Sequence, residues 1–398
     1  MMNLRYSERM GQIKSSFIRD GLKFTQLPGM ISFAGGMPAA ELFPVEAYRK
    51  AADLVLQESG QSALQYDTTE GYPPLRRMIA EELMDQVGVQ GITEENIAIT
   101  NGSQQGIDFS GRLFLDPGDV VLCENPTYIG ALNAFMAYQP RFVQIPMDSD
   151  GMRMDALEKA LGTTPRAKLI YTIPDFQNPT GLTLSLERRK QMVEIAKQYN
   201  VPIIEDNPYQ RLRFTGRMLP AIKSFDTTGI VVYLGSFSKI FSPGIRIGWV
   251  CADETILNKY ITVKQGADLH SSTIAQRELV KLMETFSINE HIQHLNQVYR
   301  IREELMLERI ASDFPDGFQV TRPEGGFFLW ATFPEKINTL SIYQTAIQEK
   351  VLFVPGATFY VHEDEKNHMR LSFSNTNEEK IVEGVKRLGK LLHTVLPT

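Results

Sequence analysis

Between residues 97 and 251, seven short apolar runs alternate with longer stretches of helical spacing, and that alternation leaves few folds open. The runs are Ile97-Ala-Ile-Thr, Val120-Val-Leu-Cys, Arg141-Phe-Val-Gln-Ile, Lys168-Leu-Ile-Tyr-Thr-Ile, Val201-Pro-Ile-Ile-Glu, Ile230-Val-Val-Tyr-Leu and Ile247-Gly-Trp-Val-Cys. Strand and helix in alternation build βα units and a mostly parallel sheet. The predicted fold is α/β, with a large domain on a mostly parallel seven-stranded sheet. Most runs lead into polar, glycine- or proline-bearing loops: Asn101-Gly-Ser-Gln-Gln-Gly, Glu124-Asn-Pro-Thr-Tyr, Pro174-Asp-Phe-Gln-Asn-Pro-Thr-Gly, Asp206-Asn-Pro-Tyr and Gly235-Ser-Phe-Ser-Lys. Polar chemistry therefore collects at one edge of the sheet, where open α/β sheets bind ligands.

A chain of 398 residues exceeds one simple core. Residues 270–311 read as a long helical stretch. Strands are predicted near Phe318-Gln-Val-Thr, Gly326-Phe-Phe-Leu-Trp-Ala, Val351-Leu-Phe-Val and His368-Met-Arg-Leu-Ser-Phe, then a helix from about Glu378 to Leu392. That pattern predicts a smaller α+β domain. The net charge of −6, with both signs interspersed, provides no basic stripe for nucleic acid. No run reaches the ~18 apolar residues of a membrane span, and the first residues contain no secretion-type apolar segment. A cytoplasmic protein with neither nucleic-acid nor membrane partners is expected. Cys123 and Cys251 sit in apolar runs without metal-ligand spacing, which predicts core thiols and no metal site.

Lys239 comes just after the run ending at Leu234, where a strand gives way to a loop. An amine shielded from water there loses basicity and can form a Schiff base with an aldehyde. Ser236, Ser238 and, seven positions on, Arg246 can hold a phosphate, the arginine by a bidentate pair. An aldehyde beside a phosphate describes pyridoxal 5'-phosphate. Asp206, at the end of another run, can keep a pyridine nitrogen protonated and so turn the ring into an electron sink; it is equally placed to cap a helix. Asn178 and Tyr209 can donate to the ring's phenolate oxygen. Ser103 and Gln104 open a helix whose free N–H groups suit an anion. Tyr128 can lie on the ring face or simply fill core. Arg370 alternates with apolar neighbours and, if inward, needs an anion: a substrate carboxylate or a structural partner.

In that order and spacing, the chain resembles the fold-type I aminotransferases of class I/II that use pyridoxal phosphate. Ile31-Ser-Phe-Ala-Gly-Gly-Met-Pro, Leu64-Gln-Tyr-Asp-Thr-Thr-Glu-Gly-Tyr, Gly102-Ser-Gln-Gln, Phe176-Gln-Asn-Pro-Thr-Gly, Gly235-Ser-Phe-Ser-Lys and Lys264-Gln-Gly-Ala-Asp-Leu-His are most similar to the 2-aminoadipate (LysN-type) and kynurenine branch. The resemblance implies an arm and part of the small domain in residues 1–45, a large cofactor-binding domain in 46–290 and a small domain in 291–398. It implies a homodimer, with Tyr66 reaching the neighbouring subunit's cofactor. Gly36 would offer its backbone to the substrate carboxylate beside Arg370 and Asn178, and Arg19 would pair with a distal carboxylate or remain an exposed helix charge.

The activity implied is amino transfer from an L-amino acid (2-aminoadipate, glutamate, aromatic or branched-chain) to a 2-oxo acid such as 2-oxoglutarate, in ping-pong fashion. Lys239, Asp206 and Tyr209 are the expected catalytic residues. The same scaffold also carries β-lyases, decarboxylases and the effector domains of MocR-type regulators. About thirty residues ahead of the pattern are too few for a DNA-binding domain.

Overall fold

The computed structural model describes residues 4–11, 22–362 and 365–395. After β1 (Ile31–Ser32) and a helix, Val45–Ala63, come eight strands of one sheet: β2 (Ile97–Thr100), β3 (Val120–Asn125), β4 (Arg141–Asp148), β5 (Gly151–Met152), β6 (Ala167–Thr172), β7 (Ile203–Asp206), β8 (Val231–Ser236) and β9 (Gly248–Cys251). Their spatial order is β2-β9-β8-β7-β6-β3-β4-β5. From β4 through β3, β6 and β7 to β8 every pairing is parallel. β9 runs antiparallel to both β8 and β2. All seven apolar runs are strands of this sheet. The addition is β5, a two-residue hairpin partner of β4, too short to register as a run.

Alternate side chains along the strands enter different cores, as the two-residue period of a strand requires. Ile204, Val232 and Leu234 join the larger cluster, which also contains Ile107 and Leu279. Ile203 and Val231 join the smaller one, with Leu157 and Val193 from helices on the other side. Both cysteines are buried and free. Because β2, β3, β6, β7 and β8 point the same way, their carboxyl ends open on one edge. Antiparallel β9 starts at that edge, with Gly248 level with both Ser236 and Thr100.

The carboxyl-terminal part holds β10 (Gln319–Val320), β11 (Phe328–Thr332), β12 (Val351–Leu352), β13 (Val354–Pro355) and β14 (His368–Ser372). Four of these form an antiparallel sheet, β10-β11-β14-β13, while β12 pairs in parallel with β1. Phe33 N–H donates to Leu352 O, and Ser372 N–H donates to Phe33 O, both at 2.8 Å. Residues 31–33 are thus stitched to chain more than three hundred positions away, beside Gly36. The helical stretch expected over 270–311 is two helices, Thr273–Thr285 and Ile288–Asp313. Ser287 separates them: its side chain accepts the Glu290 N–H at 3.3 Å, an N-cap worth about 1 kcal/mol. The last helix, Glu378–Val395, packs on Ile288–Asp313. Among the described residues, no helix is long and apolar enough to cross a membrane.

Candidate active site

A cavity of about 850 Å³ opens at the carboxyl edge of the large sheet. Its lining brings together Gly36, Ser103, Gln104, Tyr128, Asn178, Asp206, Tyr209, Ser236, Ser238, Lys239, Arg246 and Arg370, every sequence-predicted residue except Tyr66 and Arg19. Tyr66 is 77% exposed, its ring edge-on to His270. Arg19 lies outside the described residues.

Lys239 leaves β8 three residues past the sheet edge, and its Nζ donates to the Gly36 carbonyl oxygen at 2.8 Å. The amine also sits 6.0 Å from the Tyr209 ring centroid and 5.7 Å from that of Phe327. Enclosure at the cavity wall, with Arg370 and Arg246 nearby and Asp206 opposing them, brings its pKa down to about 8. A sizeable neutral fraction near pH 8 makes this lysine a usable nucleophile and base, unlike a solvated loop lysine.

Asp206, the last residue of β7, is 2% exposed and caps no helix. Its Oδ2 accepts from Tyr171 Oη at 2.8 Å, while the buried Oδ1 has no hydrogen-bond partner within normal geometry. Burial lifts its pKa to about 6, against the pull of Tyr171, Ser103 and Lys239. A buried carboxylate with one oxygen unmatched, on a residue that lines the cavity, suits a cationic N–H, which a protonated pyridine supplies.

Arg370 of β14 is 1% exposed. It donates from Nη1 to Asn178 Oδ1 at 2.7 Å and from Nη2 to Ala34 O at 2.6 Å, and its Nε has no partner. The guanidinium lies 4.3 Å from the Phe328 ring centroid and 5.0 Å from that of Phe359. Both of its hydrogen bonds go to neutral oxygens, an amide and a backbone carbonyl, and not to a carboxylate of the described residues, which disfavours a structural salt bridge there. Burial lowers its pKa to about 10. A desolvated cation left unneutralised by protein is an anion receptor.

The third group surrounds the start of helix Ser103–Phe114. Ser236 Oγ donates to Ser238 Oγ at 2.9 Å, and Ser238 accepts a long 3.5 Å contact from Arg246 Nη1. Arg246 Nη2 donates to Asn101 O at 2.7 Å. A Cβ on Gly102, whose φ is +71°, would stand 2.5 Å from that Nη2, so glycine is needed for both the turn and the approach. One on Gly248 would meet Gly102 C at 2.6 Å and Ser103 N at 2.7 Å. Free first-turn N–H groups, two hydroxyls and an exposed arginine converge, a donor set suited to a phosphate. Tyr128 closes the adjoining wall, its Oη donating to Gln104 Oε1 at 3.2 Å. Tyr209 is buried, which drives its phenol pKa up and keeps it a hydrogen donor.

Sequence patterns missed Tyr171, which reaches Asp206 only because β6 and β7 align Tyr171 with Ile204. They also missed Gln177, whose Nε2 donates to Glu124 Oε2 at 3.1 Å and Pro126 O at 2.9 Å, tying the Tyr128 loop to the Asn178 loop. The only available signal was its place beside Asn178.

A family model described as aminotransferase class I and II matches residues 29–388. This chain belongs to that family. It is 44% identical over 391 residues to aromatic-amino-acid aminotransferase 1 of Thermococcus litoralis, covering 97% of this chain and 94% of that protein. It is 40% identical over 395 residues to the 2-aminoadipate transaminase of Thermus thermophilus, covering 98% and 97%. The crystal structure of Pyrococcus horikoshii kynurenine aminotransferase superposes with a TM-score of 0.93 at 39% identity, covering 99% and 98%. The chain is therefore an aminotransferase of the fold-type I α/β architecture, and pyridoxal 5'-phosphate is its cofactor. The unmatched Asp206 oxygen, the depressed Lys239 amine and the donor set at Ser103 and Arg246 fit that group.

Proposed function

We propose that this aminotransferase moves the amino group of an L-amino acid to 2-oxoglutarate in two half-reactions at one site, donor product leaving before acceptor enters. The observation that carries this is the Lys239 amine, brought down to about pKa 8 within a cavity that also holds Asp206 and Arg370. When bound, pyridoxal 5'-phosphate supplies an aldehyde carbon and a ring that accepts the electron pair left at the donor Cα. Asp206 would hold the ring nitrogen, Asn178 and Tyr209 the phenolate oxygen, and Tyr128 one ring face. Ser103, Gln104, Ser236, Ser238 and Arg246 would hold the phosphate. Arg370, with Asn178 and the Gly36 backbone, would clamp the substrate α-carboxylate and so fix which Cα bond stands ready to break. Lys239 would take the Cα proton and return it to the aldehyde carbon, and the reverse half-reaction uses the same residues.

Tyr66 completes this picture from a second subunit: it is exposed, absent from its own cavity and edge-on to His270, so we place it at the other active site of a homodimer. The donors proposed are 2-aminoadipate, glutamate, aromatic and branched-chain amino acids, supported by the aromatic, 2-aminoadipate and kynurenine activities in the names of similar proteins. A donor panel against 2-oxoglutarate, run with the wild type and Arg19→Ala, tests both parts. Loss confined to 2-aminoadipate and glutamate supports a distal-carboxylate role for Arg19; uniform behaviour removes it. Ammonia or CO2 released from a donor without any 2-oxo acid would overturn amino transfer as the main reaction.

A further inference from the structure

Residues 264–271 contribute nothing to the cavity lining, yet they hold its phosphate end in place. Asp268 Oδ2 accepts from Asn101 Nδ2 at 2.7 Å and from Gln105 Nε2 at 2.9 Å. Both Asp268 oxygens lie 2.9 Å from Lys264 Nζ, an amine 1% exposed that also donates to Ser271 Oγ at 3.0 Å. Gln105 Oε1 closes the ring, accepting the Asn101 N–H at 2.9 Å and a 3.4 Å contact from Lys264. The next residue, Leu269, has φ +64°, a left-handed backbone uncommon for a residue other than glycine. On its other side, Asn101 presents the carbonyl oxygen that receives Arg246 Nη2 and leads through Gly102 into Ser103. One carboxylate thus fixes the residue from which both the arginine and the helix start are suspended.

We propose that Asp268 is a positioning residue for the cofactor phosphate: through Asn101 and Gln105 it sets the spacing between Arg246 and the first N–H groups of helix Ser103–Phe114. The proposal rests on assigning the phosphate to Ser103, Ser236, Ser238 and Arg246. Asn101 and Gln105 are sensitive to Asp268 because its carboxylate is the acceptor both amides share, and a partly buried donor stripped of its acceptor is costly. The phosphate should feel the change, whereas the aldehyde and ring, held by Lys239 and Asp206, should not.

The test compares dissociation constants of pyridoxal 5'-phosphate and of pyridoxal, which has the same aldehyde and ring but no phosphate, for the full-length cofactor-stripped chain. Asp268→Ala is expected to weaken the phosphorylated form about ten- to a hundredfold and leave pyridoxal unchanged. Because Asp268→Ala strands the buried Lys264 charge, Lys264→Met/Asp268→Leu serves as the fold-preserving second variant, with the same expectation. Equal weakening of both ligands, or of neither, in a variant that melts like the wild type overturns the proposal. Arg246→Ala is the control. If it too fails to separate the two ligands, the phosphate assignment itself is wrong; if it separates them and the Asp268 variants do not, only the positioning role falls.

Discussion

Replacing Asp206 with asparagine should make the cofactor-free protein more stable while crippling its chemistry. The side chain is 2% exposed, one of its oxygens is unmatched, and burial raises its pKa from 3.8 to about 6. Between those two pH values the folded chain binds a proton that the unfolded chain has released, so stability falls as pH rises through the window and stays lowered above it. A shift of that size corresponds to at most about 3 kcal/mol, at 1.36 kcal/mol per pH unit. The amide is near-isosteric with the carboxylate and carries no charge to desolvate. Denaturant melts of cofactor-free wild type and Asp206→Asn should therefore nearly coincide at pH 4, separate by pH 5 and reach their full difference above pH 6, with the variant more stable. The loaded variant should lose about 10²–10³ in turnover, the scale of removing a preorganised charge from a reacting site. A variant no more stable than the wild type at pH 7.5, or a difference independent of pH, would refute a desolvated carboxylate held for a cationic partner.

Arg370→Gln should lower kcat/KM for amino-acid donors by about 10²–10³, since a charge pair at about 4 Å with an effective dielectric of about 20 is worth about 4 kcal/mol. Amines lacking the α-carboxylate should be almost unaffected; an equal loss for both would show that Arg370 acts on fold rather than on substrate. The same variant removes a cation that lowers the Lys239 pKa, so that pKa should rise. In the wild type, the rate of capturing pyridoxal 5'-phosphate by the cofactor-free chain should climb with a midpoint near pH 8, as Lys239 loses its proton, and followed by stopped-flow absorbance a midpoint near 10.5 would contradict the enclosure of this amine.

The sheet was legible because strands covered on both faces must be apolar along their whole length. Lys239, Asp206 and Ser103 were legible because each follows such a run directly, which places it at the ligand-binding edge. Arg246 was found by its spacing, but its place in the cavity depends on β9 running antiparallel, and only pairing reveals that. Tyr171 depends on strand register, and the bond from Arg370 to Asn178 spans 192 residues. Asp268 appeared in the motif at residues 264–270, but local spacing could not show its contacts with Asn101 and Gln105. The break at Ser287 is hard to see in the sequence because both flanks are strongly helical and one capping serine carries the signal.

The proposed chemistry rests on the Lys239 amine, held 2.8 Å from the Gly36 carbonyl. Lys239→Ala, supplied with pyridoxal 5'-phosphate, glutamate and a 2-oxo acid, should still bind the cofactor through its phosphate and ring. It should show neither the visible absorbance of a lysine-bound cofactor nor measurable amino transfer. Transfer at the wild-type rate by that variant would contradict lysine as both anchor and proton carrier.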